Sequence, residues 1–70
     1  MSLTRTEKSL IDLMADVGLS KKTAVIVIKY LKEKKQQKAM INYIKEHQDY
    51  ITDHQTIQHL AKMIVREEEN

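Results

Sequence analysis

Apolar residues recur at three- and four-residue steps along most of the chain, the spacing that places side chains on one face of an α-helix. The first such stretch starts at a capping-box sequence, in which the Thr4 hydroxyl and the Glu7 carboxylate each pair with a backbone amide. Gly18 ends it, as a C-terminal residue of positive φ does, and Ser20 suits the N-cap of the next helix. The first predicted helix buries Leu10, Ile11, Leu13, Met14 and Val17.

A second helix is predicted from Ser20 to the mid-thirties, and it is apolar around well over half of its circumference. Val25, Ile26 and Tyr30 lie outside its main apolar stripe, so the helix must be covered on two sides. The next apolar stripe points in nearly the opposite direction on a helical wheel. We therefore expect a break near Gln36-Gln37; a single long helix that presents different faces to different partners is the alternative. The main stripe of the second helix is Ala24, Val27, Ile28 and Leu31.

Two further helices complete the predicted fold. The third covers Lys38 to His47, and the fourth follows a second capping-box sequence, Thr52-Asp53-His54-Gln55, in which Asp53 competes with Thr52 as N-cap. Tyr50 and Ile51 in the connector are expected to pack against the bundle. The chain has no proline and one glycine, and residues of high helix propensity are abundant. We predict a single, compact, all-α domain of four helices over residues 1–70.

Charge is distributed unevenly along the chain. The net charge of +2 combines a basic first half with an acidic second half. The segment from Ser20 to Lys38 alone holds seven lysines against one acidic residue, Glu33. A cluster of this kind favours polyanions such as nucleic acid or acidic membranes. A solvated lysine face that keeps a small helical protein soluble is the alternative.

Composition narrows the class of protein further. Without cysteine, the chain forms neither disulfides nor thiolate zinc sites. No apolar segment approaches the roughly 20 residues that span a bilayer, and the start lacks the apolar region of a signal peptide. We therefore expect a cytoplasmic protein that is not bound to membranes. Seventy residues is close to the size at which one core is marginally stabilising, so we also expect a homodimer.

No pattern of residues predicts catalysis, a cofactor or a metal. His47, His54 and His59 form no i, i+4 pair, and we interpret them as partly exposed helix residues instead of metal ligands. The serine and threonine hydroxyls lack an evident base, and there is no glycine-rich phosphate loop. The chain is therefore expected not to be an enzyme.

The segment Gly18-Leu19-Ser20-Lys21-Lys22-Thr23-Ala24, with the helix that continues to Lys34, resembles the turn and recognition helix of bacterial and archaeal helix-turn-helix regulators. In those families a glycine closes the first helix, and leucines continue the buried face of the second. The resemblance covers about residues 10–35 and is to wingless types, because the chain after Gln36 looks helical where a winged member has a β-hairpin. It implies a helix-turn-helix-like pair without a wing, formed by residues 4–35, in a small transcriptional regulator that binds double-stranded DNA.

The same resemblance implies which side chains meet DNA. An exposed helix N-terminus offers amides and positive potential, and hydroxyls and lysines there suit phosphates. The lysines are expected to contact phosphates, and the two hydroxyls are expected at the edge of the groove. The predicted DNA-binding residues are Ser20, Lys21, Lys22, Thr23, Lys29 and Lys32.

A protein-interaction or dimerisation module is the competing interpretation. Val25 and Ile26 stand where such regulators usually have polar, base-reading side chains, and an apolar pair there either meets thymine methyl groups or packs against protein. With Tyr30 they would form the centre of a homodimer interface or dock the helix of a partner protein, with the lysines as a solvated rim. A further alternative needs no partner: the third and fourth helices of the same chain bury Val25 and Ile26.

Overall fold

Four α-helices make up the computed structural model, which describes residues 3–68. No strand occurs within this range, so the predicted all-α fold, with four helices and no β-hairpin, is confirmed. None of the four helices, as far as they are described, is both long and apolar enough to cross a bilayer. The helices are α1 (Arg5–Asp16), α2 (Lys21–Tyr30), α3 (Lys34–Glu46) and α4 (Asp53–Glu68).

One hydrophobic core draws on all four helices. α1 packs most extensively on α3, α2 lies against both α1 and α4, and the smallest interface joins α3 to α4. Because every helix contributes side chains to the same core, the α1–α2 pair owes its geometry to α3 and α4 as well. The buried apolar residues are Leu10, Met14, Leu19, Val27, Leu31, Met40, Ile44 and Leu60.

The turn between α1 and α2 is fixed by the paired hydrogen bonds of a Schellman motif. The Gly18 N–H donates to the Ala15 carbonyl (3.1 Å), and the Leu19 N–H donates to the Met14 carbonyl (3.0 Å). Gly18 has a φ of +86°, which a residue with a side chain rarely adopts, so the predicted role of this glycine is confirmed. Leu19 then folds back into the core, and the chain re-enters a helix after a turn of residues 17–20.

Both predicted capping boxes are present. At the start of α1, the Thr4 N–H donates to Glu7 Oε1 (2.9 Å) and the Glu7 N–H donates to Thr4 Oγ1 (3.1 Å). At the start of α4, the Thr52 N–H donates to Gln55 Oε1 (3.0 Å) and the Gln55 N–H donates to Thr52 Oγ1 (3.1 Å). Thr52 is therefore the N-cap of α4, and the carboxylate of Asp53 is left to contact another element.

The predicted break between the second and third helices exists, but it lies at residues 31–33 and not near Gln36-Gln37. Leu31 is fully buried at the end of α2, and its carbonyl accepts a hydrogen bond from Gln37 Nε2 (2.7 Å). The Glu33 N–H donates to Gln36 Oε1 (3.4 Å) at the start of α3. The two glutamines that mark the predicted break therefore lie inside α3. Gln36 caps the start of α3, and Gln37 caps the end of α2.

The connector between α3 and α4 departs from expectation at one residue. Ile51 is half-buried against the core, as predicted. Tyr50 is 83% exposed, so the prediction that it packs against the bundle is wrong. Its backbone N–H donates to the His47 carbonyl (3.0 Å), which closes a turn just before Tyr50 and leaves the ring in solvent.

Candidate functional site

One face of α2 carries three lysines around an exposed valine. Lys21, Lys22, Val25 and Lys29 fall on the same side of the helix, and all four are exposed. The other side of α2 buries Val27 and packs on α1 and α4, which leaves these four side chains facing solvent. We call the set formed by Lys21, Lys22, Val25 and Lys29 the α2 lysine face.

The lysines divide between the two ends of the helix. α2 has 10 residues, which at 1.5 Å per residue gives a length of about 15 Å. Lys21 and Lys22 lie in its first turn and Lys29 in its last. Lys32 lies beyond α2 in the loop before α3, where it lines a cleft with Arg5, Lys34 and the acidic Glu7. Positive charge therefore flanks Val25 at both ends of α2.

The two hydroxyl residues predicted to face a ligand are used within the protein instead. The Ser20 hydroxyl accepts a hydrogen bond from the Thr23 N–H (3.2 Å) and donates to Thr23 Oγ1 (3.1 Å). Ser20 is exposed, but Thr23 is only 4% exposed, which contradicts its predicted place at the edge of a binding groove. Thr23 is buried because it turns toward the side of α2 that packs on other helices.

A carboxylate from α4 lies at the N-terminus of α2. The Ser20 N–H donates to Asp53 Oδ1 (2.8 Å), so a backbone amide expected to meet a ligand anion already holds one. This backbone bond is the main cause that lowers the pKa of Asp53 from its usual value, with a hydrogen bond from the Thr23 side chain as the second. The sequence offered Asp53 only as a possible cap of its own helix, because its contact with α2 depends on how the helices pack.

Replacing Asp53 with asparagine tests this contact through the pH dependence of stability. The pKa of Asp53 in the folded protein lies below its ordinary 3.8, so folding favours the ionised carboxylate. The stabilisation is therefore present above pH 3.8 and is lost as the pH falls through the lowered pKa. We expect Asp53→Asn to melt at a lower temperature than the wild type at neutral pH, and the difference to shrink as the pH falls below 3.8.

A matched control is Asp12→Asn, which removes an exposed carboxylate from the middle of α1. Its melting temperature should stay close to that of the wild type at neutral pH. Thermal unfolding monitored by circular dichroism at several pH values provides the comparison. A pH profile of Asp53→Asn parallel to that of the wild type would show that the carboxylate adds nothing at the α2 terminus.

The three residues predicted as an apolar interface do not form one patch. Val25 is 61% exposed and Tyr30 is 54% exposed, but Ile26 is half-buried against the core. At about 100° per residue, Val25 and Tyr30 point roughly 140° apart around α2. The exposure of Val25 also contradicts the alternative in which α3 and α4 bury it. Ile26 packs against the shared core, and the helices that lie against α2 are α1 and α4.

A cluster of aromatic rings joins α3 to α4. The imidazole of His59 stacks on the ring of Tyr43, with centroids 3.7 Å apart and planes 9° from parallel. His47 follows the last residue of α3, and its Nδ1 lies 2.7 Å from the Tyr43 carbonyl oxygen. The pKa of His59 is lowered, mainly by burial and then, in decreasing order, by the charges of Lys62, His47 and Arg66. The i, i+4 spacing of Tyr43 and His47 was visible in the sequence, but the stacking of His59 was not.

Metal-ligating side chains are not grouped in the part of the chain that is described: no three or more histidine or acidic residues there could hold one ion. Comparison of the chain with protein-family models, curated proteins and solved structures gives no match. Function therefore has to be inferred from the geometry of these residues alone.

Proposed function

We propose that the protein binds duplex DNA through the α2 lysine face, as a small transcriptional regulator of the helix-turn-helix type. The observation that carries the proposal is the exposure of Lys21, Lys22, Val25 and Lys29 on one side of α2. A helix held by a short, glycine-containing turn against a preceding helix, and open to solvent on its other side, is the arrangement that such proteins place in the major groove. The proposal includes a cytoplasmic location. It also includes a homodimer, because helix-turn-helix proteins bind two DNA half-sites as dimers.

Helix length supports this assignment. The major groove of B-DNA is about 12 Å wide. The roughly 15 Å of α2 therefore places its first-turn lysines and Lys29 near opposite walls of the groove, where they meet phosphates of the two strands. Lys32 in the α2–α3 loop adds positive charge at the second wall. Phosphate contacts of this kind give affinity and register more than sequence specificity.

Val25 is the side chain best placed to contact bases. It lies between the two first-turn lysines and Lys29, and its exposed methyl groups suit the thymine methyl group in the major groove. At the N-terminal end of α2, the Asp53 carboxylate accepts the hydrogen bond of the Ser20 amide and would repel a DNA phosphate that approached this amide. Phosphate contacts at that end therefore fall to the side chains of Lys21 and Lys22, which can reach past it. We expect a modest preference for sites that contain thymine.

Fluorescence anisotropy of a labelled duplex across a salt series tests the proposal. Log affinity should fall linearly with log salt, and Lys21→Gln/Lys22→Gln should flatten the slope by about 2, because two phosphate contacts are lost. Both lysines are exposed, so the variant keeps its fold. The matched control is Lys38→Gln/Lys45→Gln, which removes the same charge from exposed positions of α3 and should leave the slope close to the wild-type value.

Equal flattening by the two variants would mean that any positive charge suffices, and would overturn the assignment to α2. A second candidate function, a protein-interaction or dimerisation module, is favoured by the exposure of Val25 and Tyr30. In that case the lysines are the solvated rim of an interface. Absence of DNA binding at low salt by the folded protein, together with a dimeric mass in solution, would favour this second candidate.

A further inference from the structure

A groove between α3 and α4 combines an apolar floor with a cationic rim. Its volume is about 380 Å³, at the lower end of the range for small-ligand sites. Among the side chains that the structure describes, none from α2 lines the groove, so it is separate from the α2 lysine face, and none of those that line it is acidic. We call its apolar lining residues, Ala39 and Met63, the floor, and its cationic ones, Lys35, Lys62 and Arg66, the rim.

The described residues of the second half of α4 are less buried than its first half. The fully or almost fully buried residues of α4, Thr56 at 0% and Leu60 at 3%, lie in its first half. Beyond them Met63 is only half-buried, and the interface of α4 with α3 is the smallest between any two packed helices. Apolar surface therefore stays accessible at the floor, and the burial of this surface would favour a ligand.

His59 lies where the groove meets a second, smaller recess. The recess has a volume of about 180 Å³, and His59 and Lys62 line both spaces. Stacking on Tyr43 holds the imidazole in one plane beside the Lys62 side chain. Positive charge reaches His59 from Lys62 and Arg66 on its own helix. His47, at the C-terminal end of α3, lies against Tyr43, and Lys35 of α3 lies at the rim. A negative charge placed there would relieve this repulsion.

We propose that the groove binds a small organic anion that joins a carboxylate or similar acidic head group to an apolar body. The head group meets Lys62 and Arg66, since ammonium and guanidinium groups form charge-assisted hydrogen bonds with carboxylates. The body covers Ala39 and Met63 and removes their apolar surface from water. Neither part is sufficient alone. The rim is exposed to solvent, which screens its charges and weakens their attraction to the head group.

Nuclear magnetic resonance of the histidine ring protons tests the proposal with three probes: octanoate, the neutral and similarly shaped octanamide, and acetate, which has the charge without the body. We expect octanoate to bind saturably at His59 and to raise the pKa of this imidazole, because a nearby anion favours the protonated form. Octanamide and acetate should bind at least about tenfold more weakly. The resonances of His54, which is exposed and outside the groove, should not move with octanoate.

Paired variants separate this site from general attraction to a basic protein. Lys62→Gln/Arg66→Gln should weaken octanoate binding about tenfold, and the control Lys38→Gln/Lys45→Gln should not change it. Ala39→Glu puts an acidic side chain on the floor of the groove and should abolish binding. All five positions are exposed on helices and accept good helix formers, so the folds should be kept, and circular dichroism verifies this.

Three results would overturn the proposal: octanamide binding as tightly as octanoate, equal losses in the groove variant and its control, or octanoate leaving the His59 resonances unmoved. In the third case, a shift at His59 with duplex DNA would assign the groove to a nucleic-acid surface instead. Because no residue of the α2 lysine face is changed, failure here is distinguishable from failure of the proposed DNA binding.

Discussion

Replacing Leu31 with alanine is expected to lower the free energy of unfolding by about 2–5 kcal/mol. Leu31 is 0% exposed at the end of α2 and belongs to the core that all four helices share. Truncation to alanine leaves a cavity that the surrounding side chains fill only in part. The total stability of a 70-residue domain is on the order of 4–10 kcal/mol, so this one change removes a large part of it. Urea unfolding followed by circular dichroism measures the effect.

The neighbouring residue is the matched control. Tyr30 has a larger side chain, but it is 54% exposed, so Tyr30→Ala should cost less than about 1 kcal/mol. Because the two positions are adjacent at the C-terminal end of α2, differences in helix propensity between the variants stay small beside the cavity effect. Similar losses for the two variants would contradict the register in which α2 faces the core.

Replacing Gln37 with leucine should lower the free energy of unfolding by about 1–3 kcal/mol, the cost of leaving a buried polar group without its partner. Gln37 is 2% exposed, and its Nε2 donates to the Leu31 carbonyl at 2.7 Å. Leucine fills a similar space but donates no hydrogen bond, so this carbonyl at the end of α2 loses its cap. The Leu31 N–H, which donates to the Val27 carbonyl, should then exchange faster with solvent deuterium.

Gln48→Leu is the matched control, since it makes the same chemical change at an exposed position of the α3–α4 connector. It should change the free energy of unfolding by less than about 0.5 kcal/mol and leave exchange at the end of α2 unaltered. If Gln37→Leu behaves in the same way as this control, the hydrogen bond to Leu31 does not hold the α2–α3 loop, and the position of the break needs another cause.

The helix ends were the most predictable part of the fold. The box of Thr4 and Glu7, the positive φ of Gly18 and the cap by Ser20 all involve residues within a few positions of one another. Short-range hydrogen bonds of this kind are written in the local sequence, and helical periodicity between them is enough to give the fold class.

The break between α2 and α3 was predictable in existence but not in position. Apolar stripes that point in opposite directions require a change of direction somewhere between Leu31 and Met40. The polar stretch around Gln36-Gln37 looked like the connector, because the sequence does not distinguish a buried glutamine from a solvated one. Only the three-dimensional structure places Gln37 in the interior with a carbonyl to bind.

In the candidate site, too, local features could be predicted from the sequence, and features that depend on helix packing could not. The exposure of Lys21, Lys22 and Lys29 agrees with their predicted place on the outer side of α2. The burial of Thr23 and the approach of Asp53 could not be predicted, because both depend on where α4 packs against α2. The periodicity of the sequence could not predict the stacking of Tyr43 from α3 on His59 from α4, because this contact also depends on how the helices pack.

The hydrogen bond between Ser20 and Asp53 joins residues 33 positions apart. Synthesis proceeds from the N-terminus, at about 5–20 residues per second, so α1, α2 and α3 are made before the residue that pins the start of α2. Until α4 follows, one side of α2 has no helix to pack on. The surface that carries the three lysines therefore gains its fixed orientation last, when the fourth helix docks, and a nascent chain stalled before Asp53 would present that surface only in a loosely held form.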